Sequence, residues 1–461
     1  MRPATVELAM IVRDGAATLA RCLESVAPVL DGMVVGDTGS TDASAQIARS
    51  FGATVIEVPW REDFSLARNQ VLAACQSDWI LVLDADEMLD PEGVELVRAA
   101  IARPEIGAYD VGRWNYLRAT QGRSGEEGAR ANPGLIEAAK GYPAYALSVN
   151  MRLFRRHPEV YFERCVHETV AGRVNALGWR RAAAPFVIHH LGQAEDAEPV
   201  RRAKNELYQR LGLRKLEENP ADPHGCFELG LGELEHFRRP EAALRYFERA
   251  CELDEGNVRA RLFLGITQSR LGRYSEALES LAEAERLGLD SPVLHEARGD
   301  VGFHMGEYCR AREAYERALA GQAFAPLTMA KLGAALVRLG EAEAGLRRME
   351  AAIASSPEFA ELYDMLASAS ALCGNLRLAA RAAEARLAVG AAAALHYQLA
   401  AEIRDALEEP EAALRLVSEG IEKFPEDGSL RRLLDRLFRR GLPGGEGLSA
   451  PTESPTLARL G

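Results

Sequence analysis

Short apolar runs alternate with amphipathic segments over the first 86 residues of the chain. Between the first two runs, apolar side chains at 19, 22, 23 and 26 recur at spacings of three and four residues, which predicts a helix. Val6–Val12, Gly32–Val35, Thr54–Val58 and Trp79–Leu83 are short enough and apolar enough to be strands. This strand–helix alternation predicts an α/β domain with a parallel sheet, in which ligands bind beyond the carboxyl ends of the strands.

Two aspartates, Asp84 and Asp86, come directly after the last of these strands. In an extended segment alternate side chains point the same way, so we expect both carboxylates to face one pocket. Two converging, buried carboxylates need a cation, and a hard divalent ion such as Mn or Mg fits oxygen ligands. Such an ion would act as a Lewis acid on a leaving diphosphate. The alternative is a solvated turn whose acids cap a helix.

Two other polar segments are predicted to lie near the same edge of the sheet. The loop from Asp37 to Asp42 also follows a strand and opens a helix. Arg68 lies on the helix before the strand that leads to the aspartates, and its guanidinium matches the geometry of a phosphate. Together they strengthen the prediction of a phosphate-containing ligand.

The second half of the chain repeats. Gly265, Gly299, Gly333 and Ala367 are separated by successive intervals of 34 residues, which is the period of tetratricopeptide (TPR) repeats. The pattern predicts an all-α TPR solenoid of about six units. Their approximate ranges are 222–256, 257–290, 291–324, 325–358, 359–390 and 391–427, with a capping helix at 430–438.

The segments around the array divide the rest of the chain. We expect a catalytic domain over residues 1–195, a connector helix over 196–221, the array with its cap over 222–440, and a disordered tail over 441–461. The array is expected to recruit a protein or peptide in its concave groove, near Arg261, His295 and Lys331. The alternatives are that it forms a homodimer or only buttresses the enzyme.

The composition of the chain indicates which kinds of partner it can bind and in which compartment we expect it. The net charge of −13 argues against a nucleic-acid partner, because duplex binding needs a basic surface. Seven scattered cysteines without a C-x-x-C pair favour reduced thiols and a cytoplasmic protein. We see no signal-peptide pattern, and no apolar run approaches the roughly 18 residues that a membrane helix needs.

The ordered motifs resemble those of family 2 glycosyltransferases, which have the GT-A fold and mostly invert the anomeric centre. The resemblance rests on residues 10–14, 34–42, 64–69 and 79–87, and continues through 152–155, 162–168 and 188–190, where it is similar to a bacterial subgroup with C-terminal TPRs. One departure is Asp14-Gly15, where the subgroup often has Asn-Glu. The Q-x-x-R-W signature of processive synthases is absent, which favours transfer of a single sugar.

The resemblance implies roles for matching residues. Asp37 would bind the uracil, and the backbone up to Val12 would line the base pocket. Arg68 would touch the diphosphate. Asp86 would be the principal metal ligand, with Asp84 directed toward the ribose or the metal.

The acceptor half of the domain carries two further candidates. An inverting transfer needs a carboxylate to deprotonate the acceptor, and Glu168 is our candidate; a structural ion pair is the alternative. A histidine, His189 or, as we prefer, His190, could give the third metal ligand. Residues 121–141 are rich in Gly, Ala and charge, and predict either a lid over the donor or a tolerated insertion.

These observations predict a metal-dependent inverting glycosyltransferase. It would move one sugar from a nucleoside-diphosphate donor, with UDP expected, to a protein or peptide acceptor recruited by the array. One alternative keeps the donor but uses a cell-envelope glycan or a small-molecule acceptor. The other is a catalytically inactive TPR scaffold, which the presence of Asp37, Arg68, Asp84 and Asp86 disfavours.

Overall fold

The predicted strands form one side of a nine-stranded sheet in the computed structural model, which describes residues 2–117, 129–192, 198–320 and 325–440. The chain forms two compact units that divide between residues 289 and 290. Within the described ranges, no helix combines the length and apolar character needed to cross a bilayer. The predicted tail at 441–461 lies outside the described residues.

The sheet has a parallel half and a mixed half. Its strand order is β3-β2-β1-β4-β8-β6-β9-β5, with β7 paired to β8, and β3, β2, β1 and β4 run parallel. The predicted α/β fold with a mostly parallel sheet is confirmed. The strands are β1 Val6–Val12, β2 Gly32–Asp37, β3 Thr54–Glu57, β4 Trp79–Val82, β5 Glu87–Met88, β6 Ala108–Leu117, β7 Ala129–Ala131, β8 Ala144–Arg155 and β9 Arg181–His190. The helices of this domain are α1 Ala16–Val26, α2 Ser44–Ser50, α3 Phe64–Ala74, α4 Pro91–Ile101 and α5 Ala171–Ala176.

The central strand β4 is buried along its whole length. Trp79 and Leu81 belong to one apolar core, while Ile80 and Val82 belong to a second core. Because successive strand residues point to opposite faces, this division shows that helices cover both faces of the sheet. Burial on both faces explains why β4 reads as a continuous apolar run.

The loops after β1 and β2 are tied to each other at the carboxyl edge of the sheet. Asp14, with φ of +49°, accepts a hydrogen bond from the backbone N–H of Thr41 at 2.7 Å. Its own N–H donates to Ser40 Oγ at 3.1 Å, and the N–H of Gly15 donates to Ser44 Oγ at 2.8 Å. The residues that depart from the subgroup pattern therefore hold two loops together at this edge.

The rest of the described chain is helical. A long helix, α6, is followed by six helix pairs and a final helix, as expected for a TPR solenoid with a cap. These helices are α6 Glu198–Glu218, α7 Pro223–Leu231, α8 Pro240–Leu253, α9 Val258–Arg270, α10 Tyr274–Arg286, α11 Pro292–His304, α12 Tyr308–Ala320, α13 Pro326–Arg338, α14 Ala342–Ser355, α15 Ala360–Leu372, α16 Leu376–Ala388, α17 Ala394–Ala406, α18 Pro410–Lys423 and α19 Gly428–Arg440.

The 34-residue period arises from a close contact inside each helix pair. A Cβ added to Gly299 would overlap the ring of Tyr315, and one added to Gly265 would lie 2.7 Å from Leu281. The first helix therefore needs a small residue where the second helix carries a large one. The turn between the helices needs a positive φ, which Gly306 supplies at +77°.

Two of the three residues predicted to line the concave groove are engaged within the second unit. Lys331 Nζ contacts Glu296 at 2.6 Å and Asp300 at 2.8 Å. His295 is 5% exposed, and its Nε2 lies 2.6 Å from Asp290. These two side chains serve contacts inside the array, so Arg261 is the better probe of the predicted groove.

Candidate active site

The two aspartates after β4 lie in a tight turn. The N–H of Glu87 donates to the carbonyl of Asp84 at 3.0 Å, and the N–H of Asp84 donates to Glu87 Oε2 at 2.9 Å. The extended segment expected from the sequence is therefore wrong, because these two hydrogen bonds close the chain into a turn. As a result Asp84 and Asp86 have different partners.

Asp84 belongs to a chain of ion pairs that links two predicted site residues and one arginine from a motif that resembles the family. Arg68 Nη2 lies 2.6 Å from Asp84 Oδ1, while Arg68 Nε lies 2.7 Å from Glu168 Oε1. Arg152 Nη2 approaches the other oxygen of Asp84 at 3.1 Å. The fold thus brings Glu168 to Arg68 and Asp84, although 100 residues separate Glu168 from Arg68.

Helix α3 aims Arg68 inward. Asp63 caps the helix by accepting from the N–H of Leu66 at 2.9 Å, and Arg68 then falls on the buried face one turn later. Its guanidinium carbon lies 5.7 Å from the centre of the Phe162 ring. Within the described part of the chain, Arg68 Nη1 is buried without a hydrogen-bond partner.

The charges of this cluster stabilise one another. Burial alone would raise the pKa of Asp84, but Arg152 and Arg68 outweigh it and hold that pKa well below its ordinary value of 3.8. Burial would lower the pKa of Arg68, but Asp84 and Glu168 raise it above its ordinary value. Both groups are therefore charged at neutral pH.

Glu87, next to Asp84, is a buried acid that the sequence analysis did not select. The side chain of Glu87 is fully buried, and its Oε1 lies 3.2 Å from Arg113 and 3.3 Å from Arg152. Arg113 lies on β6 and Arg152 lies on the antiparallel neighbour β8, and both side chains reach the same carboxylate oxygen. An arginine next to Leu153 and Phe154, in the middle of an apolar run, was the sequence signal for this pairing.

Asp86 faces His190. Asp86 Oδ2 and His190 Nε2 are 3.4 Å apart, and His190 Nδ1 lies 2.8 Å from Asn115 Oδ1. The amide of Asn115 is oriented by donating to the carbonyl of Ala146 at 3.2 Å and to Ser148 Oγ at 3.0 Å. His190 therefore donates from Nδ1, which leaves Nε2 directed at Asp86.

The pKa of Asp86 reflects this arrangement. Burial would raise it, but the hydrogen bond and the charge of His190 outweigh burial and leave the pKa below 3.8. The backbone at Gly192 also passes close to Asp86, because a Cβ added at Gly192 would overlap Asp86 Oδ2. A side chain at 192 would displace the Asp86 carboxylate, which makes Gly192 a positioning residue that the sequence analysis missed.

His189 lies in the core of the domain and does not face Asp86. Its Nδ1 lies 2.8 Å from the hydroxyl of Tyr116 and its Nε2 lies 3.0 Å from Asp90, which caps α4. Burial outweighs the effect of Asp90 and lowers the pKa of this fully buried histidine. Of the two candidate histidines, the structure places His190 beside Asp86 and His189 in the core.

Asp37 and Val12 lie at neighbouring strand ends, where they pair in register. Asp37 Oδ1 accepts hydrogen bonds from the N–H of Ser40 at 2.8 Å and of Gly39 at 3.2 Å. The carbonyl of Val12 accepts from Thr38, whose N–H lies at 2.9 Å. These contacts shape the loop, and those of the Asp37 carboxylate use one of its two oxygens.

The segment predicted as a lid is described only in part. Asn132 Nδ2 donates to the carbonyls of Ala139 at 2.7 Å and Tyr142 at 2.8 Å, which stabilises the turn signalled by Asn132-Pro133-Gly134. The remainder of the predicted lid, up to residue 128, lies outside the described residues.

The donor set at Asp86 suits a cation that is also held by a substrate. Among the residues that the structure describes, no three His, Cys, Asp or Glu side chains are arranged to enclose a metal ion. Asp86 and His190 form a pair of donors instead. Mg and ions like it are commonly held by one or two carboxylates together with substrate phosphates and water.

Comparison with known proteins identifies the family. A family model described as glycosyl transferase family 2 matches residues 8–160, and a tetratricopeptide repeat model matches residues 237–300. A TPR repeat-containing protein of Synechococcus elongatus is 35% identical over 331 residues, which cover 68% of this chain and 75% of that protein. The chain belongs to glycosyltransferase family 2. It is a bacterial-type enzyme of this family, and its TPR repeats follow the GT-A domain in the sequence.

Two other relatives of this glycosyltransferase are more distant or shorter in overlap. An uncharacterized glycosyltransferase of Rickettsia felis is 39% identical over 105 residues, covering 22% of this chain and 37% of that protein. The SPbeta prophage-derived glycosyltransferase SunS of Bacillus subtilis is 24% identical over 248 residues, covering 53% of each chain. The aligned part thus spans about a third of one relative and half of the other.

The buried ion pairs make Arg152 a residue on which the glycosyltransferase domain should depend. We expect Arg152→Met to lower the free energy of unfolding by roughly 3 kcal/mol, because Asp84 and Glu87 would lose a buried cation. Arg181→Met is the matched control: it breaks an exposed pair with Asp110, for which we expect less than about 1 kcal/mol. Urea denaturation followed by circular dichroism measures both.

The effect of Arg152→Met should depend on pH in a defined direction. A carboxylate whose folded pKa is depressed, as that of Asp84 is, adds stability above its unfolded pKa of about 4 and loses it as the pH falls further. The difference between wild type and variant should therefore be largest at neutral pH and shrink below about pH 4. Equal stabilities at pH 7 would contradict this account of the cluster.

Proposed function

We propose that this enzyme is a metal-dependent inverting glycosyltransferase that transfers one sugar from a UDP-linked donor to a protein or peptide acceptor. The observation that carries the proposal is the Asp86–His190 pair, which lies 3.4 Å apart at the carboxyl edge of the sheet. This is the edge at which such folds bind ligands. The neighbouring ion pairs of Arg68 supply a second set of charged groups for the reaction.

The nucleotide is assigned to the ends of β1 and β2. Asp37 keeps one carboxylate oxygen on its own turn, so the other is the candidate acceptor for the N3–H of uracil. The backbone ending at Val12 would line the base. A carboxylate that accepts from N3–H favours uracil over cytosine, which has no proton at N3 when neutral.

The divalent cation, Mn or Mg, is assigned to Asp86 and His190. Asp86 Oδ2 and His190 Nε2, which lie 3.4 Å apart, are the two protein atoms that would hold such an ion together with the substrate phosphates. When bound, the ion supplies Lewis-acid stabilisation of the leaving diphosphate. Asp84, whose two oxygens contact Arg68 and Arg152, is assigned to the donor side of the site rather than to the primary metal ligands.

Removal of the acceptor's proton is assigned to Glu168. Its Oε1 contacts Arg68, so Oε2 is the oxygen that would receive the proton from the acceptor. The acceptor nucleophile forms a bond to the anomeric carbon as the bond from that carbon to the diphosphate oxygen breaks, with inversion. Arg68 fixes the carboxylate in place through the contact at 2.7 Å.

Recruitment of the acceptor is assigned to the array. TPR repeats offer grooves that bind extended segments, and the first helix of this array, α7, reaches the segment that carries Glu168. His167 Nε2 lies 3.5 Å from Glu228 Oε2 on α7. A polypeptide held by the first repeats would therefore leave the groove close to the proposed base.

The metal assignment predicts the effect of Asp86→Ala. We expect at least about a 100-fold loss of sugar transfer, with little change in melting temperature, because the side chain serves the ion and not the core. Turnover is measured with a panel of nucleotide sugars and Mn, using host lysate as acceptor. Asp110→Ala, at an exposed ion pair, is the control and should be fully active. Full activity of the wild type in EDTA would refute the metal requirement.

The nucleotide assignment predicts a defect in UDP binding for Asp37→Asn. The amide keeps an oxygen for the N–H groups of Ser40 and Gly39 but presents NH2 where uracil N3–H would donate. We expect UDP affinity to fall by about 1.5–3 kcal/mol, as for a charged hydrogen bond. Calorimetry measures it, with Asp42→Asn in the same loop as the control. Unchanged UDP affinity would remove Asp37 from the site.

The recruitment assignment predicts a change in KM for Arg261→Ala. This position lies on the first helix of its pair, and in the described part of the chain its Nε is buried without a hydrogen-bond partner. We expect the acceptor KM to rise several-fold while UDP affinity stays at the wild-type value. The control is Arg249→Ala, at an exposed pair with Glu252 on α8.

The same measurement separates the alternatives. A parallel fall in donor hydrolysis would indicate that the array only braces the enzyme. Transfer to a small-molecule or envelope-glycan acceptor with an unchanged KM would favour the glycan alternative over a recruited polypeptide.

A further inference from the structure

The segment that carries Glu168 is a short loop closed by backbone hydrogen bonds. The N–H of Glu163 donates to the carbonyl of Thr169 at 3.0 Å, and the N–H of Thr169 donates back at 3.2 Å. Between them, Arg164 and His167 lie in the left-handed region, with φ of +79° and +54°. Side chains of these types rarely adopt such a backbone conformation, so contacts from the surrounding structure must hold it.

Helix α3 holds the first half of this loop. The N–H of Phe64 donates to the carbonyl of Cys165 at 2.9 Å. Asn69 exchanges two hydrogen bonds with the backbone of Phe162, one at 2.7 Å and one at 2.9 Å. These contacts end at Cys165, whereas the contacts of the His167 side chain come from other helices.

His167, which directly precedes Glu168, is contacted by α6 and α7. The ring of Tyr208 on α6 lies 5.8 Å from that of Phe64, at the start of α3, and stacks on that of His167 at 6.2 Å. On α7, Glu228 Oε2 lies 3.5 Å from His167 Nε2. The other oxygen of Glu228 lies 3.8 Å from His224 Nε2. The second half of the loop is therefore held by a ring from α6 and a carboxylate from α7.

The two helices are themselves fixed, to each other and to the catalytic domain. Lys215 Nζ on α6 lies 2.7 Å from Asp222 Oδ2, and Asp222 caps α7. Arg210 on α6 contacts Glu62, just before α3, at 2.6 Å. Both helices belong to the compact unit that contains the catalytic domain. Glu228 therefore has a defined position relative to the loop.

We propose that Glu228 is a positioning residue for sugar transfer, which holds His167 and thereby sets the orientation of Glu168, the proposed base. The proposal rests on the function proposed above. Arg68 fixes one oxygen of the base at 2.7 Å, and the contact of His167 with Glu228 fixes the backbone next to it. A base must lie within hydrogen-bond reach of the proton that it removes, so a small shift of this loop slows transfer.

This role differs from the recruitment of an acceptor. A groove that only recruits affects the KM for the acceptor, whereas a contact that orients the base acts in the transition state and affects kcat. The first helix of the array thus completes the active site, and the enzyme needs this helix even for an acceptor that does not bind the groove.

Steady-state kinetics of the full-length enzyme test this inference. The donor is a nucleotide sugar that supports transfer by the wild type, and host lysate at increasing protein concentration is the acceptor. We expect Glu228→Ala to lower kcat about 10-fold and to leave the apparent acceptor KM, UDP affinity and melting temperature at their wild-type values. Glu252→Ala is the matched control, because it removes an acid of α8 that forms an exposed pair with Arg249.

A second variant tests whether Glu228 acts through His167. Asparagine tolerates a positive φ, so His167→Asn preserves the backbone conformation while it removes the imidazole. We expect this variant to lose at least about 10-fold in kcat, and the double variant with Glu228→Ala to lose no more than His167→Asn alone. Losses that multiply would overturn the proposal, because the two residues would then act independently.

Glu168→Gln separates this inference from the proposed function. If the wild type transfers no sugar, or if Glu168→Gln keeps the wild-type kcat, the function or its base assignment fails and the inference fails with it. If Glu168→Gln loses transfer while Glu228→Ala keeps the wild-type kcat, only the inference fails. An effect of Glu228→Ala confined to the melting temperature or to the acceptor KM would also overturn it, because α7 would then only brace the fold or bind the acceptor.

Discussion

The candidate site depends on the burial of the Arg68 guanidinium between Asp84 and Glu168. A buried arginine is tolerable only when carboxylates surround it, and these two come from the end of β4 and from the segment before α5. The ion pairs therefore fix three separate parts of the domain at one point. They also decide which groups remain for a ligand, because each contact with Arg68 uses one carboxylate oxygen.

This constraint affects which role each residue of the family-like motifs can take at the site. Arg68, which is predicted to touch the diphosphate, pairs with the two acids through Nε and Nη2, and among the described residues its Nη1 has no hydrogen-bond partner. Asp86 and His190 form a separate pair whose geometry is set by Asn115. The site is thus organised as a rigid charged cluster beside a pair of metal-type donors.

The repeats depend on a different constraint, which is steric. The first helix of a pair approaches the second so closely that Gly299 faces the ring of Tyr315 with no space for a Cβ. The same requirement in successive pairs produces the period of 34 residues. Contacts of α6 and α7 with the catalytic domain show that the first repeats are built onto the enzyme.

The sequence by itself determined the α/β domain, the repeats and the family, because burial on one face or both leaves a local periodic pattern. It also placed Asp37, Asp84 and Asp86 at one edge of the sheet, since the ends of parallel strands share that edge. Only the tertiary structure decided that His190 and not His189 faces Asp86, that Glu87 is buried with two arginines, and that α6 packs against the segments that carry Arg68 and Glu168. The contacts of His190 with Asn115 and of Glu168 with Arg68 join residues 75 and 100 positions apart, and no local pattern specifies which distant side chain will meet a given charge.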